Sequence, residues 1–157
     1  MQTLPQTNPL SPEERLEMAR LWNANPVLQV MGVEVDLSAD DVLRAKIDPL
    51  KPQHRGGLGT QAVNGAVISG LFDLMIGLVG IVNSQKHRTG TVQLNIHFVR
   101  PLKGDILLAE ARLVKAGQSL VFARSEIYDS EGRVCAACDG IASVDFDKPT
   151  VENFMAV

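Results

Sequence analysis

Residues 62–82 read AVNGAVISGLFDLMIGLVGIV, an apolar stretch without Lys, Arg or Glu. By length alone it suits a membrane span. Its details argue otherwise. Asp73 sits at its middle, where a carboxylate costs roughly 2.5–3.5 kcal/mol on insertion scales. Gly65, Gly70, Gly77 and Gly80 lower its hydrophobicity and helix propensity. No basic flank follows at once, Lys86 and Arg88 standing a few residues on. A helix apolar almost all round and kept out of lipid must be enclosed by protein. Val63, Val67, Leu71, Leu74 and Leu78 form a bulky stripe at helical spacing. Ala66, Ser69, Gly70, Asp73, Gly77 and Gly80 form a second stripe of small residues with one carboxylate in it. Small residues let a backbone or a narrow ligand come close. A carboxylate among them is expected to be partly desolvated, with its pKa raised.

What surrounds this stretch supplies the enclosure. Downstream, Thr91–Val99 alternates, with Val92, Leu94, Ile96 and Phe98 on one face and Thr91, Gln93, Asn95 and His97 on the other. Ile106–Lys115, Leu120–Tyr128 and Val134–Phe146 follow as strands. Their connections are short and polar, which joins antiparallel neighbours. Upstream, Val30–Val35 and Val42–Ile47 read as two strands around Ser38-Ala39-Asp40-Asp41. A Pro- and Gly-rich loop, Asp48 to Gln61, leads into the helix. Before the strands, Ser11-Pro12-Glu13-Glu14 announces another helix by a capping box and a Pro at its first position. Leu16, Ala19 and Trp22 give that helix an apolar side for packing, with Trp22 lining a pocket as the alternative reading, and it ends near Asn25-Pro26. Residues 1–10, with Pro5 and Pro9, read as a flexible leader. The fold class expected is α+β: one curled antiparallel sheet around one long helix, a single domain over residues 1–157.

Composition narrows the function. The chain has 157 residues, 45% apolar and 21% charged, which suits a soluble globular domain. Aromatics are only 4%, too few for stacked-base recognition. Fifteen basic against eighteen acidic residues give a net charge of −3, without the basic footprint of a nucleic-acid binder. Met1-Gln2-Thr3-Leu4-Pro5 lacks the features of a signal peptide, so a cytoplasmic protein without membrane partners is expected. Cys135 and Cys138 are spaced C-x-x-C, but on a strand residues three apart point to opposite faces, which argues against a redox or zinc pair. His54, His87 and His97 show no metal-ligand spacing, so no metal is expected. Gly57-Leu58-Gly59-Thr60-Gln61-Ala62 matches G-x-G-x-x-A only formally, because no strand precedes it and no parallel strand follows the helix.

At the start of the long helix, Asn64-Gly65 offers free N–H groups at the positive end of the helix dipole. Such donors stabilise a developing oxyanion. Gly65 admits a carbonyl without a Cβ clash, and Asn64 adds a side-chain N–H. An ordinary helix cap is the competing reading for Asn64.

Taken together, residues 27–145 resemble the hotdog-fold acyl-CoA thioesterases, particularly the phenylacetate-degradation-type branch. Asn64-Gly65-Ala66 stands where that branch has His-Gly-Gly, and Asp73 stands where it has an Asp nine residues after the His. Thr91-Val92-Gln93-Leu94-Asn95-Ile96 is similar to the family strand that opens on a catalytic Ser or Thr. Pro101, Gly104, the Leu113–Leu120 turn and the Tyr128–Arg133 turn also match. The resemblance implies thioester hydrolysis with Asp73 as general base or nucleophile and Thr91 holding the water or Asp73. Gly65 and Asn64 would then hold the carbonyl oxygen. Gln61 and Gln53 are candidates for the family's upstream polar residue. Coenzyme A carries phosphates, so Arg55, Arg100 and Lys103 are candidates for its binding. No resident cofactor is implied. Asn64 departs from the family His and keeps hydrogen bonding while losing acid–base capacity. A non-catalytic acyl-CoA binder and a dehydratase or hydratase are the alternatives.

Helix geometry adds a constraint. Asn64 and Asp73 lie nine residues apart, roughly 13–14 Å along the axis and on opposite sides. One chain cannot bring both to one carbonyl. A homodimer, possibly a homotetramer, with Gly65 of one subunit near Asp73 of the other is therefore expected.

Overall fold

The computed structural model describes residues 9–57 and 59–150. The expected leader therefore lies outside the described residues except for Pro9 and Leu10. Leu10 is buried, and its N–H donates to Val82 O at 3.1 Å, so no flexible segment includes it.

Helix α1 spans Pro12–Asn23 and opens on the expected capping box of Ser11 and Glu14. Its buried face corrects the expectation at one residue, since Ala19 and Trp22 pack against the core as expected but Leu16 does not. Leu16 is 61% exposed, whereas Arg15 and Met18 are buried. The Arg15 guanidinium donates to Leu10 O, Ala39 O and Asp40 O, so its charge is covered by carbonyls rather than left unpaired. A second helix, α2, Pro26–Met31, takes the first two residues, Val30 and Met31, of the expected strand Val30–Val35. Asn25 caps it, Pro26 takes its first position, and Gly32 ends it at φ +68°.

Six strands follow: β1 Val33–Asp36, β2 Leu43–Ile47, β3 Arg88–Phe98, β4 Leu107–Ala116, β5 Leu120–Tyr128 and β6 Val134–Asp145. They form one antiparallel sheet in the order β1-β2-β4-β5-β6-β3. The long helix α3, Gly65–Val82, crosses the chain between β2 and β3 and packs against β2, β4, β5, β6 and β3.

β6 turns small residues to the core: Ala136, Cys138, Gly140 and Ala142. A Cβ on Gly140 would stand 2.6 Å from Ile76, so this glycine is what lets α3 settle onto the sheet. The deepest helix residues are Phe72, Leu71, Met75, Ile76, Leu78 and Val79, each worth about 1.5–3 kcal/mol on burial. This core stripe is offset from the expected one. Val67 and Leu74 are only partly buried at its margin. A helix apolar nearly all round carries no periodicity that selects its innermost face. α3 has a mean hydropathy of 2.1 and is long enough to cross a membrane, yet 56% of it is buried in this fold.

Two bulges change which way side chains face. One falls between Thr91 and Gln93, where Thr91 pairs with Ala142 and Gln93 with Ile141. Val92 is the extra residue, 60% exposed. The slip puts Thr91 on the helix-facing side with Leu94 and Ile96, not opposite them as simple alternation requires. The other falls at Cys135, between the Tyr128–Val134 and Ile127–Ala136 pairs. It corrects the expectation that the two cysteines face apart: both are buried in the core cluster as free thiols.

Candidate active site

The start of α3 is held from two sides. The Val63 N–H donates to Leu102 O and the Asn64 N–H to His54 O, each at 2.9 Å. Asn64 is the helix cap, its Oδ1 accepting the Ala66 N–H at 2.8 Å. The cap reading is thus correct for Oδ1, and it leaves Nδ2 as a donor. Gly65, the first helical residue, is exposed. Its N–H has no acceptor among the described residues, as helix geometry requires at this position. The ring of Phe98, at the end of β3, lies 3.5 Å from where a Gly65 Cβ would stand. Alternation places Phe98 on the Leu94–Ile96 face but gives no sign that it meets the helix start.

Asp73 lies two turns further along α3. It lines a cavity of about 560 Å³ together with Thr91, Thr89, Gly70 and Gly77. The bulge at Val92 accounts for Thr91 reaching this side. Asp73 is exposed, which corrects the expected desolvation: the small residues around it leave it uncovered. The far wall comes from Trp22, Val27, Leu28 and Met31. The sequence offers Trp22 as a pocket residue only as the alternative to packing, and residues 27–31 carry no sign of a pocket wall, because the end of α2 reads as the start of a strand.

The structure therefore brings Asp73 and Thr91 together and sets Asn64 and Gly65 apart from them. The basic candidates lie at the Asn64 end. Arg55 donates to Gln61 O and Gly104 O and pairs with Asp105, so its guanidinium closes the loop ahead of α3. Lys103, exposed, neighbours that contact. Arg100 is exposed, and its backbone N–H donates to Cys135 O. Neither Arg100 nor Lys103 makes an ion pair among the described residues. Gln53 and Gln61 are exposed on the same loop. Among the described residues, no group of three His, Cys, Asp or Glu side chains is placed to hold a metal ion.

Residues 60–136 match the family model of the thioesterase superfamily. This part of the chain is similar to the thioesterase superfamily. The α3 start, Asp73, Thr91 and the Pro101–Gly104 loop all fall inside the match. Relatives agree. An esterase-named protein of Halobacterium salinarum is 28% identical over 97 residues, covering 60% of this chain and 64% of its own. The medium/long-chain acyl-CoA thioesterase YigI of Escherichia coli is 25% identical over 95 residues, covering 52% of this chain and 61% of its own. The chain thus spans under two thirds of the length of either relative. Among solved structures, the PaaI protein of the E. coli phenylacetic acid degradation operon superposes with a TM-score of 0.72 at 18% identity. That superposition covers 88% of this chain and 95% of PaaI. The thioesterase HI1161 of Haemophilus influenzae gives 0.74 at 16% identity, covering 98% and 99%. At these identities the likeness is one of fold, and the chain has the hotdog architecture.

Proposed function

We propose that the chain hydrolyses acyl-CoA thioesters at a site completed by two subunits. One observation carries this reading. Gly65, Ser69 and Asp73 follow one another at helical i, i+4, i+8 spacing, and Gly65, Ala66 and Asp73 are exposed along α3. The chain's own sheet leaves this face uncovered. Gly65 and Asp73 are symmetric about Ser69. A two-fold axis passing there sets two α3 helices antiparallel and brings each Gly65 N–H towards the partner's Asp73. The edge strand β3 adjoins this face, with Val92 60% and Phe98 59% exposed, and offers an unpaired backbone edge to a second copy.

In the proposed reaction the thioester oxygen sits on the Gly65 N–H and the Asn64 Nδ2. Asp73 takes a proton from a water that Thr91 orients, and the water oxygen adds to the carbonyl carbon. The negative charge that develops on the carbonyl oxygen is stabilised by donors already in place. Collapse breaks the C–S bond, and the proton returns from Asp73 to the departing thiolate of coenzyme A. Direct attack by Asp73, through an anhydride that water then opens, uses the same groups. Neither route needs a resident metal or organic cofactor. Arg100 and Lys103, free of ion pairs among the described residues and beside the Gly65 end, are proposed for the phosphates. The name of the E. coli relative supports acyl-CoA as the substrate class.

Thiol release measured over a panel of acyl- and aryl-CoA esters tests the reading. Turnover of at least one class is expected. Saturable binding across the panel without thiol release would replace hydrolysis by acyl-CoA sensing.

A further inference from the structure

The backbone of α2 is pinned at both ends. Asn25 Oδ1 accepts the Val27 N–H at 2.9 Å at its start. At its end the Met31 carbonyl lies 2.8 Å from Nε2 of His54, a side chain 3% exposed. His54 Nδ1 accepts the Lys51 N–H at 2.9 Å, so Nε2 carries the proton and donates it to Met31 O. The Met31 side chain leaves this fixed point towards α3. Its methyl lies 3.4 Å from where a Gly70 Cβ would stand. Between the two helices is the cavity that Asp73 and Thr91 line.

Val27, Leu28 and Met31 of α2 face Leu74, Leu78 and Ile81 of α3 across that cavity, and all six are aliphatic or thioether side chains. Its oxygen-bearing side chains are Asp73, Thr91 and Thr89. Thr89 is already committed, donating to Gly77 O at 3.0 Å. A ligand hydroxyl placed among the α2 residues would lose water without gaining a partner, which is costly. Met31 has three rotatable bonds and fills space according to what else is present.

On the thioester reading of Asp73 and Thr91, we infer that the cavity takes an unsubstituted aliphatic tail and that Met31, set against Gly70, determines the longest tail accepted. α2 acts as a gauge: its backbone is held by His54, so replacing the Met31 side chain changes the room available without moving the wall.

The test uses S-alkyl-CoA thioethers, which cannot be hydrolysed, in a series of increasing chain length, together with the matching acyl-CoA esters. Wild-type binding is expected to tighten about fourfold per added methylene until the cavity is full. Met31→Ala moves that limit to longer tails, and Gly70→Val moves it to shorter ones. Gly70→Val adds bulk beside a flexible methyl, so it carries the test alone if Met31→Ala fails to fold. A limit that neither variant moves overturns the inference. So does tighter binding of an aryl or hydroxyaryl thioether than of the alkyl thioether with equal carbon number. Length-graded binding that shifts with the variants, but without thiol release from any ester, upholds the gauge and overturns hydrolysis.

Discussion

Thr91 shares a cavity with Asp73 because one extra residue, Val92, bulges out of β3. Without that bulge the Thr91 side chain would point to the outer face of the sheet. The carboxylate and the hydroxyl thus line one cavity, and Asp73 is exposed there.

Asp73 makes no hydrogen bond among the described residues and is exposed, so Asp73→Asn is expected to leave the fold and thermal midpoint unchanged. As the proposed base or nucleophile, its loss lowers kcat by at least about a hundredfold. Steady-state thiol release beside a thermal melt checks both. Turnover within a few-fold of wild type would remove Asp73 from the mechanism.

Gly65→Pro deletes one donor and sets ring carbons where the carbonyl would approach, beside Phe98. Position 65 is the first helical residue, where proline is favoured, and Asn64 at φ −64°, ψ 137° already has the backbone that precedes proline. The fold is expected to persist, with kcat reduced about 10²–10³-fold, as for loss of one oxyanion donor. Co-refolding this variant with Asp73→Asn should then restore roughly a quarter of wild-type activity. Half the resulting dimers are mixed, and each mixed two-fold dimer has one of its two sites intact. Mixtures no more active than their components would show that the site is not shared.

The β5–β6 turn should loosen in acid. Asp129 Oδ1 accepts the backbone N–H groups of Glu131 and Arg133, and Oδ2 accepts Arg133 Nε at 2.8 Å. The Arg133 backbone N–H above all, followed by its guanidinium, holds this carboxyl below the usual aspartate range. A folded-state pKa below the unfolded one gives stability that is complete above the unfolded value and lost as pH falls through the folded value. The Asp129 carboxyl and the Arg133 amide should therefore titrate together, below the ordinary aspartate pKa, by NMR. Titration of that carboxyl at its ordinary value would contradict the geometry.

The two thiols should be inert in the native state. Burial pushes Cys138 up to about 11 and raises Cys135 as well. Neither is expected to react quickly with an aromatic disulfide reagent at pH 8, and both react once guanidinium unfolds the chain. A fast native thiol would reopen a redox role for the pair.

Local patterns carried much of the fold. The Ser11–Glu14 capping box, the polar turns between β4, β5 and β6, and the uninterrupted apolar run of α3 act over a few residues, so they are legible in one dimension. The failures share a cause. Asn25-Pro26 and Gly32 are the start and stop signals of α2, yet the β-branched run across Val30 and Val33 reads as strand, and contacts from His54 and β1 settle it. Arg15 is buried only because three carbonyls from elsewhere in the chain surround it. The site divides in the same way. Asn64, Gly65 and Asp73 are visible as residues on one helix, with Asn64 and Asp73 nine residues apart. Phe98 beside Gly65, and the α2 wall of the cavity, are not visible.

The sequence by itself determined that one long apolar helix, interrupted by glycines and a single aspartate, must be wrapped by antiparallel strands. Hydrophobic periodicity and turn chemistry are properties of neighbours along the chain. Only the tertiary structure decided which face of that helix is buried, that Thr91 turns inward, and that α2 closes the cavity. Those outcomes depend on a bulge, a small-residue floor on β6 and a histidine reaching across the fold. Each is set by close packing between segments far apart in sequence, where a single inserted residue reverses the direction of every side chain that follows.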